Sequence, residues 1–101
     1  MPYIYRVENY EGNGCYYEHA DLHFIDKHAR YNGHPRPEQD RGIGRDMHMG
    51  VEICGFLNLK QAQGWFSPNE LLQLDKEGFI LSRVKVKEIT AIGETQVLAI
   101  R

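Results

Sequence analysis

The side chains best suited to chemistry sit in the first half of the chain. His19, His23, His28, His34 and His48 all fall within thirty positions of one another. His19 and His23 are four residues apart, which puts both imidazoles on one face of a helix. Such a pair can start a metal site, with oxygen from Glu18, Asp21 or Asp40. A zinc site needs three or four convergent ligands, and no spacing here matches a zinc signature. No metal is therefore expected, and the histidines read as decoration on a polar surface. Cys15 and Cys54 form no CxxC pair and read as reduced thiols, Cys54 as a small buried hydrophobe. A nucleophile built on Cys15, in its Gly-rich turn, would need a lowered pKa, and nothing fixes a base beside it.

The other concentration is the stretch from Gly33 to Asp46, with Pro35, Pro37, Gly42 and Gly44. The prolines restrict it, and the glycines let backbone approach a ligand closely. Arg36, Arg41 and Arg45 can pair with phosphates or carboxylates. Between Lys27 and Arg45 there are five basic and two acidic residues, so the region is locally positive. Its spacing predicts a binding surface of His34, Arg36, Asp40, Arg41 and Arg45 for RNA, a nucleotide or an acidic protein patch. The alternative is a solvated loop whose charges pair locally. Gly42 and Gly44 are too few for a dinucleotide fingerprint, and no strand precedes them.

The whole-chain numbers narrow these choices. At 101 residues, with 42% hydrophobic and 26% charged residues, the chain reads as one domain over 1–101. A formal net charge of −2 argues against a dedicated nucleic-acid coat, which needs a cationic surface. No apolar run is long enough to span a bilayer, and the first residues lack a secretion signal. The expectation is a cytoplasmic protein without a membrane partner.

Positioning falls to the regular elements. Tyr3 to Glu8 alternates Tyr3, Tyr5 and Val7 against Ile4, Arg6 and Glu8, as a strand does. Asn9 to Gly14, with Glu11-Gly12-Asn13-Gly14, is turn chemistry. Leu22, Ile25 and Ala29 predict a helix over 18–30, while 32–50 keeps no period and reads as a long loop. Val51 to Phe56 resumes strand character. Asn58 with Gln61 resembles a capping box opening a short helix to about Phe66. Ser67-Pro68-Asn69-Glu70 opens another, with Phe66 and Leu71 as its staple. Gly78 should end it at Glu77 and fold Phe79 back on Leu74. Trp65 and Phe66 read as core. From Leu81 onward, Lys85 and Lys87 face water while Val84 and Val86 face the core. Ile89 to Ile92 continues or pairs with that strand, and Thr95 to Ile100 is the last one. The tyrosines at 3, 5, 10, 16, 17 and 31 crowd the N-terminal third and suit an interface. The fold class expected is α+β: a small, mainly antiparallel sheet with two or three helices packed on it.

Several of these residues carry a family pattern. Tyr5-Arg6-Val7-Glu8, Gly33-His34-Pro35, Pro37, Asp40, Cys54-Gly55-Phe56, Leu59, Trp65-Phe66, Leu71, Leu74, Gly78-Phe79 and Thr95-Gln96-Val97 resemble small bacteriophage and prophage proteins. That resemblance covers nearly the whole chain and brings no settled activity. It implies an accessory protein that binds and modulates or inhibits a host or defence macromolecule in the host cytosol, as anti-CRISPR proteins do. A second resemblance is to the ADP-ribosyltransferase fold, where a first-strand Arg or His holds NAD and a late strand carries the catalytic Glu. Arg6 and Glu94-Thr95-Gln96 stand in that order, with Gln96 in place of the second Glu. Glutamine can hydrogen-bond but cannot supply the charge that stabilises an oxocarbenium-like centre.

These readings lead to a host or defence protein as the expected partner, with nucleic acid the weaker expectation and no cofactor. The alternative implied by the second resemblance is an NAD-binding transferase or its inactive relative, with Arg6, His34, Glu94 and Gln96 as catalytic candidates.

Overall fold

The computed structural model describes residues 2–15 and 34–101. The helix expected over 18–30 lies outside the described residues, as do His19, His23, His28, Tyr16, Tyr17 and Tyr31. Five strands and two helices make up the regular elements among the described residues. They are β1 (Tyr3–Glu8), β2 (Glu52–Gly55), α1 (Leu59–Trp65), α2 (Pro68–Lys76), β3 (Ile80–Lys85), β4 (Glu88–Ile92) and β5 (Val97–Ile100). The fold is α+β, with two small antiparallel sheets, β1-β3 and β2-β5-β4.

The two sheets are stitched together into a closed circuit. β3 runs into β4 with only Val86 and Lys87 between them. Val86 N donates to Pro2 O on one side at 3.0 Å, and Lys87 N to Ile100 O on the other at 2.7 Å. Successive N–H groups of a strand point to opposite edges, so this run carries β1 on one edge and β5 on the other. The circuit closes where Tyr5 and Phe56 exchange backbone hydrogen bonds of 2.8 and 2.7 Å.

β1 is buried on both faces, which its alternation alone did not foretell. Ile4 joins Val86, Val97 and Ala99 in one apolar cluster. Val7, on the opposite face, joins Cys15, Phe56, Ala62, Phe66, Leu74 and Phe79 in another, beneath the helices. Leu81 packs against the helix-side cluster, and Val84 against the inner one. Lys85 and Lys87 are exposed as expected. Cys54, expected to be buried, is only half-buried, and Cys15 is the buried cysteine. The turn explains this. Asn9 Oδ1 accepts from Glu11 N and Asn13 N, both at 3.0 Å, and folds Gly14 back to bridge Glu8. That return delivers Cys15 to the core.

The helices follow their caps. Ser67 Oγ accepts from Glu70 N at 3.2 Å, and Glu70 Oε1 accepts from Ser67 N at 2.8 Å. Gly78 takes φ 86°, and Phe79 N donates to Leu74 O at 2.9 Å, burying both side chains. Asn58 Oδ1 caps α1 by accepting from Gln61 N at 2.9 Å, but Gln61 does not complete the box. Its Oε1 accepts from Leu57 N instead, and its Nε2 donates to Gly93 O and Glu94 O at 3.0 and 3.1 Å. Ser67→Ala should lower the unfolding free energy by about 1 kcal/mol, read as a shifted urea midpoint at unchanged slope.

Candidate functional site

The segment 34–50 holds one short 3-10 turn, Pro37–Gln39, and is otherwise irregular. Two buried carboxylates hold it against the sheets. Asp40 is 3% exposed. Its Oδ1 accepts from Glu94 N at 2.8 Å, and its Oδ2 accepts from Thr95 Oγ1 at 2.7 Å and Thr95 N at 3.3 Å. The Asp40 carbonyl accepts from Ile43 N and Gly44 N at 3.1 and 3.2 Å. One residue thus ties the loop to the β4–β5 turn and shapes its own tight bend. Gly93 makes room for it: a Cβ there would lie 2.5 Å from the Asp40 carboxyl carbon.

Glu52, 4% exposed, is the second anchor. Arg45 donates to it through both terminal nitrogens, at 2.9 and 2.8 Å, and His48 N donates at 2.8 Å. His48 Nδ1 stands 3.6 Å from the same carboxylate. Thr90 Oγ1 also donates to Glu52. Thr90 sits where the β4–β5 register slips between Ile89 and Ala91, a bulge that turns its hydroxyl across the sheet. The Arg45 hydrogen bonds hold the Glu52 carboxyl well below the usual carboxylate range, against the opposing effect of burial. Thr90 and His48 N push the same way. Arg45 is raised in turn by its bonds to Glu52.

The expected binding residues therefore divide. Asp40 and Arg45 are consumed in holding the loop. His34 Nε2 donates to Trp65 O at 2.6 Å, and its ring meets the Trp65 ring edge-on at 5.0 Å. Arg36 and Arg41 are displayed, with side chains 76% and 86% exposed. Among the described residues, each has a carboxylate only at 3.9 Å, Glu38 for Arg36 and Glu94 for Arg41. Such exposed pairs add little stability. Exposed Met49 and Val51 follow in the chain.

The catalytic candidates do not assemble. Arg6 and Gln96 line one groove of about 590 Å³, with Cys15, Cys54, Phe56 and Trp65. The Arg6 guanidinium is committed to Glu8 at 3.0 Å and to Cys54 O at 2.9 Å. Gln96, 5% exposed, donates its amide to Pro35 O at 2.8 Å, closing the start of the loop onto the sheet. The Glu94 side chain lies exposed beside Arg41. The ADP-ribosyltransferase resemblance finds no support in this arrangement. No group of three or more metal-type side chains converges among the described residues.

The sequence reading missed Glu52, Thr90 and Thr95 as anchors. Glu52 had a signal: it is the one charge in the Val51 to Phe56 run, and a buried charge must find a partner. Thr90 and Thr95 had none, because their roles depend on contacts 38 and 55 residues away.

No helix among the described residues is long and apolar enough to cross a membrane. No curated protein and no solved structure matches the chain. A family model described as Bacteriophage T4 Y00F protein matches residues 1–101, and the chain belongs to this family of phage proteins.

Proposed function

We propose that this phage protein is an accessory factor that binds a host or defence macromolecule, a protein, through the loop at 34–50. The observation carrying this reading is the contrast within the loop. Its backbone is held by the buried Asp40 carboxylate, while Arg36 and Arg41 are left facing solvent. A loop fixed before binding loses little conformational freedom when a partner docks. A guanidinium with only a distant carboxylate can exchange it for a bidentate bond from an acidic partner. Met49 and Val51 add apolar contact area of the kind that interfaces use. The overall charge of −2 weighs against nucleic acid as the partner.

The test is a pull-down from host lysate with the wild-type chain and an Arg36→Glu/Arg41→Glu variant. Wild type should retain one protein at near-physiological salt. The variant should weaken that binding by more than about tenfold, while Lys76→Glu on α2 leaves it unchanged. Undiminished retention by the variant, or a nuclease-sensitive catch, would overturn the reading.

A further inference from the structure

Among the described residues, the outer edge of β3 pairs with no strand. Arg83 stands opposite Tyr5, and Lys85 opposite Tyr3. Tyr5 spends both backbone groups on Phe56, on the far side of β1. Antiparallel partners alternate between bonded and non-bonded pairs, so Arg83 turns its N–H and C=O away from β1, as do Leu81 and Lys85. The Val86 bond to Pro2 and the Lys87 bond to Ile100 fix the same alternation independently. From Lys87 onward this outer edge is taken by β5. Before it, no strand among the described residues pairs with it.

The side chains along this edge are cationic. Leu81 is packed against the helix-side cluster, whereas Arg83 and Lys85, on the same face, are exposed, and Lys87 follows. The Arg83 guanidinium carbon lies 4.3 Å from the Tyr3 ring centroid. Stacking steadies the guanidinium plane and leaves its N–H donors outward. Arg83, Lys85 and Lys87 have no ion-pair partner among the described residues.

Cations beside open main-chain groups select what can add there. They repel a second copy of the same edge, a common guard against self-pairing. They attract a strand that carries carboxylates. Arg83 already covers the exposed Tyr3 ring that stacking of a nucleobase would need. We propose that the outer edge of β3 accepts an extended acidic segment of a partner protein as an added strand. Its main chain would bond to Leu81, Arg83 and Lys85, and carboxylates at alternate positions would meet Arg83 and Lys85. This surface is distinct from the loop, and its test leaves Arg36 and Arg41 untouched.

The probe is a short acetylated, dye-labelled peptide of alternating glutamate and threonine, titrated with the full chain by fluorescence anisotropy. Saturable binding is expected, weakened at least about tenfold by Arg83→Glu/Lys85→Glu. A peptide N-methylated at alternate backbone nitrogens keeps every carboxylate but loses main-chain donors, and should weaken by a similar factor. That peptide decides the matter even if the double variant fails to fold. Equal binding of the methylated peptide would reduce the contact to charge attraction and overturn strand addition. Tighter binding of oligothymidylate, lost in the same variant, would also overturn it.

Discussion

Asp40→Ala is expected to lower the unfolding free energy by about 3 kcal/mol, because hydrogen bonds to a buried charged group are each worth about 1.5–3 kcal/mol. The loss is less than the sum over three donors, since Glu94 N keeps a second acceptor in Arg41 O at 3.0 Å. Thr95 N and its hydroxyl, half-buried in the turn, lose their shared acceptor. Against a typical total stability of about 5–15 kcal/mol, the loss is large. Urea unfolding should show a lower midpoint at unchanged slope. Asp40→Asn should cost about half as much, because one oxygen survives while the amide nitrogen confronts the donors of Thr95. Equal stability of Asp40→Ala and wild type would show that the loop is not held by this carboxylate.

Glu52→Gln should cost about 2 kcal/mol at neutral pH, through the weakening of charge-assisted bonds to a buried acceptor. It leaves the backbone and most of the side-chain volume in place. Its signature is pH dependence. The folded chain holds the Glu52 carboxyl well below the usual range, so the unfolded chain takes up the proton first as the solution acidifies. The stabilisation is therefore fully present above the unfolded value of about 4.3 and is lost as pH falls below it. Arg45, His48 and Thr90 face this carboxylate. The gap between wild type and Glu52→Gln should thus be widest near neutrality and shrink between about pH 4 and about pH 2. A gap that stays constant across that range would remove the ionised carboxylate from the account.

What the sequence revealed and what it hid follow one physical line. The α2 cap, its staple and its glycine stop are all local, so Ser67, Glu70, Gly78 and Phe79 could be read in order. The exposure of Lys85 and burial of Val86 follow from period-two alternation. The double burial of β1 does not, because it depends on which elements cover each face. Gln61 shows how tertiary context overrides a local motif: the residue placed to finish a capping box instead ties α1 to the β4–β5 turn. The loop was conspicuous as composition, and its arginines were found that way. Which arginine would be consumed and which displayed depended on Glu52 and Glu94, residues remote from the motif.

Amide hydrogen exchange across residues 34–50 and the β4–β5 turn tests most directly whether this polar stretch is a built platform. Slow exchange is predicted at Ile43 and Gly44, bonded to the Asp40 carbonyl, at Glu94 and Thr95 on its carboxylate, and at His48 on Glu52. Asp40→Ala should release Thr95 most, speed Glu94 less because Arg41 O still accepts from it, and leave His48 protected by its separate anchor. Exchange at the rate of an unstructured peptide at all five amides of the wild-type chain would contradict the account.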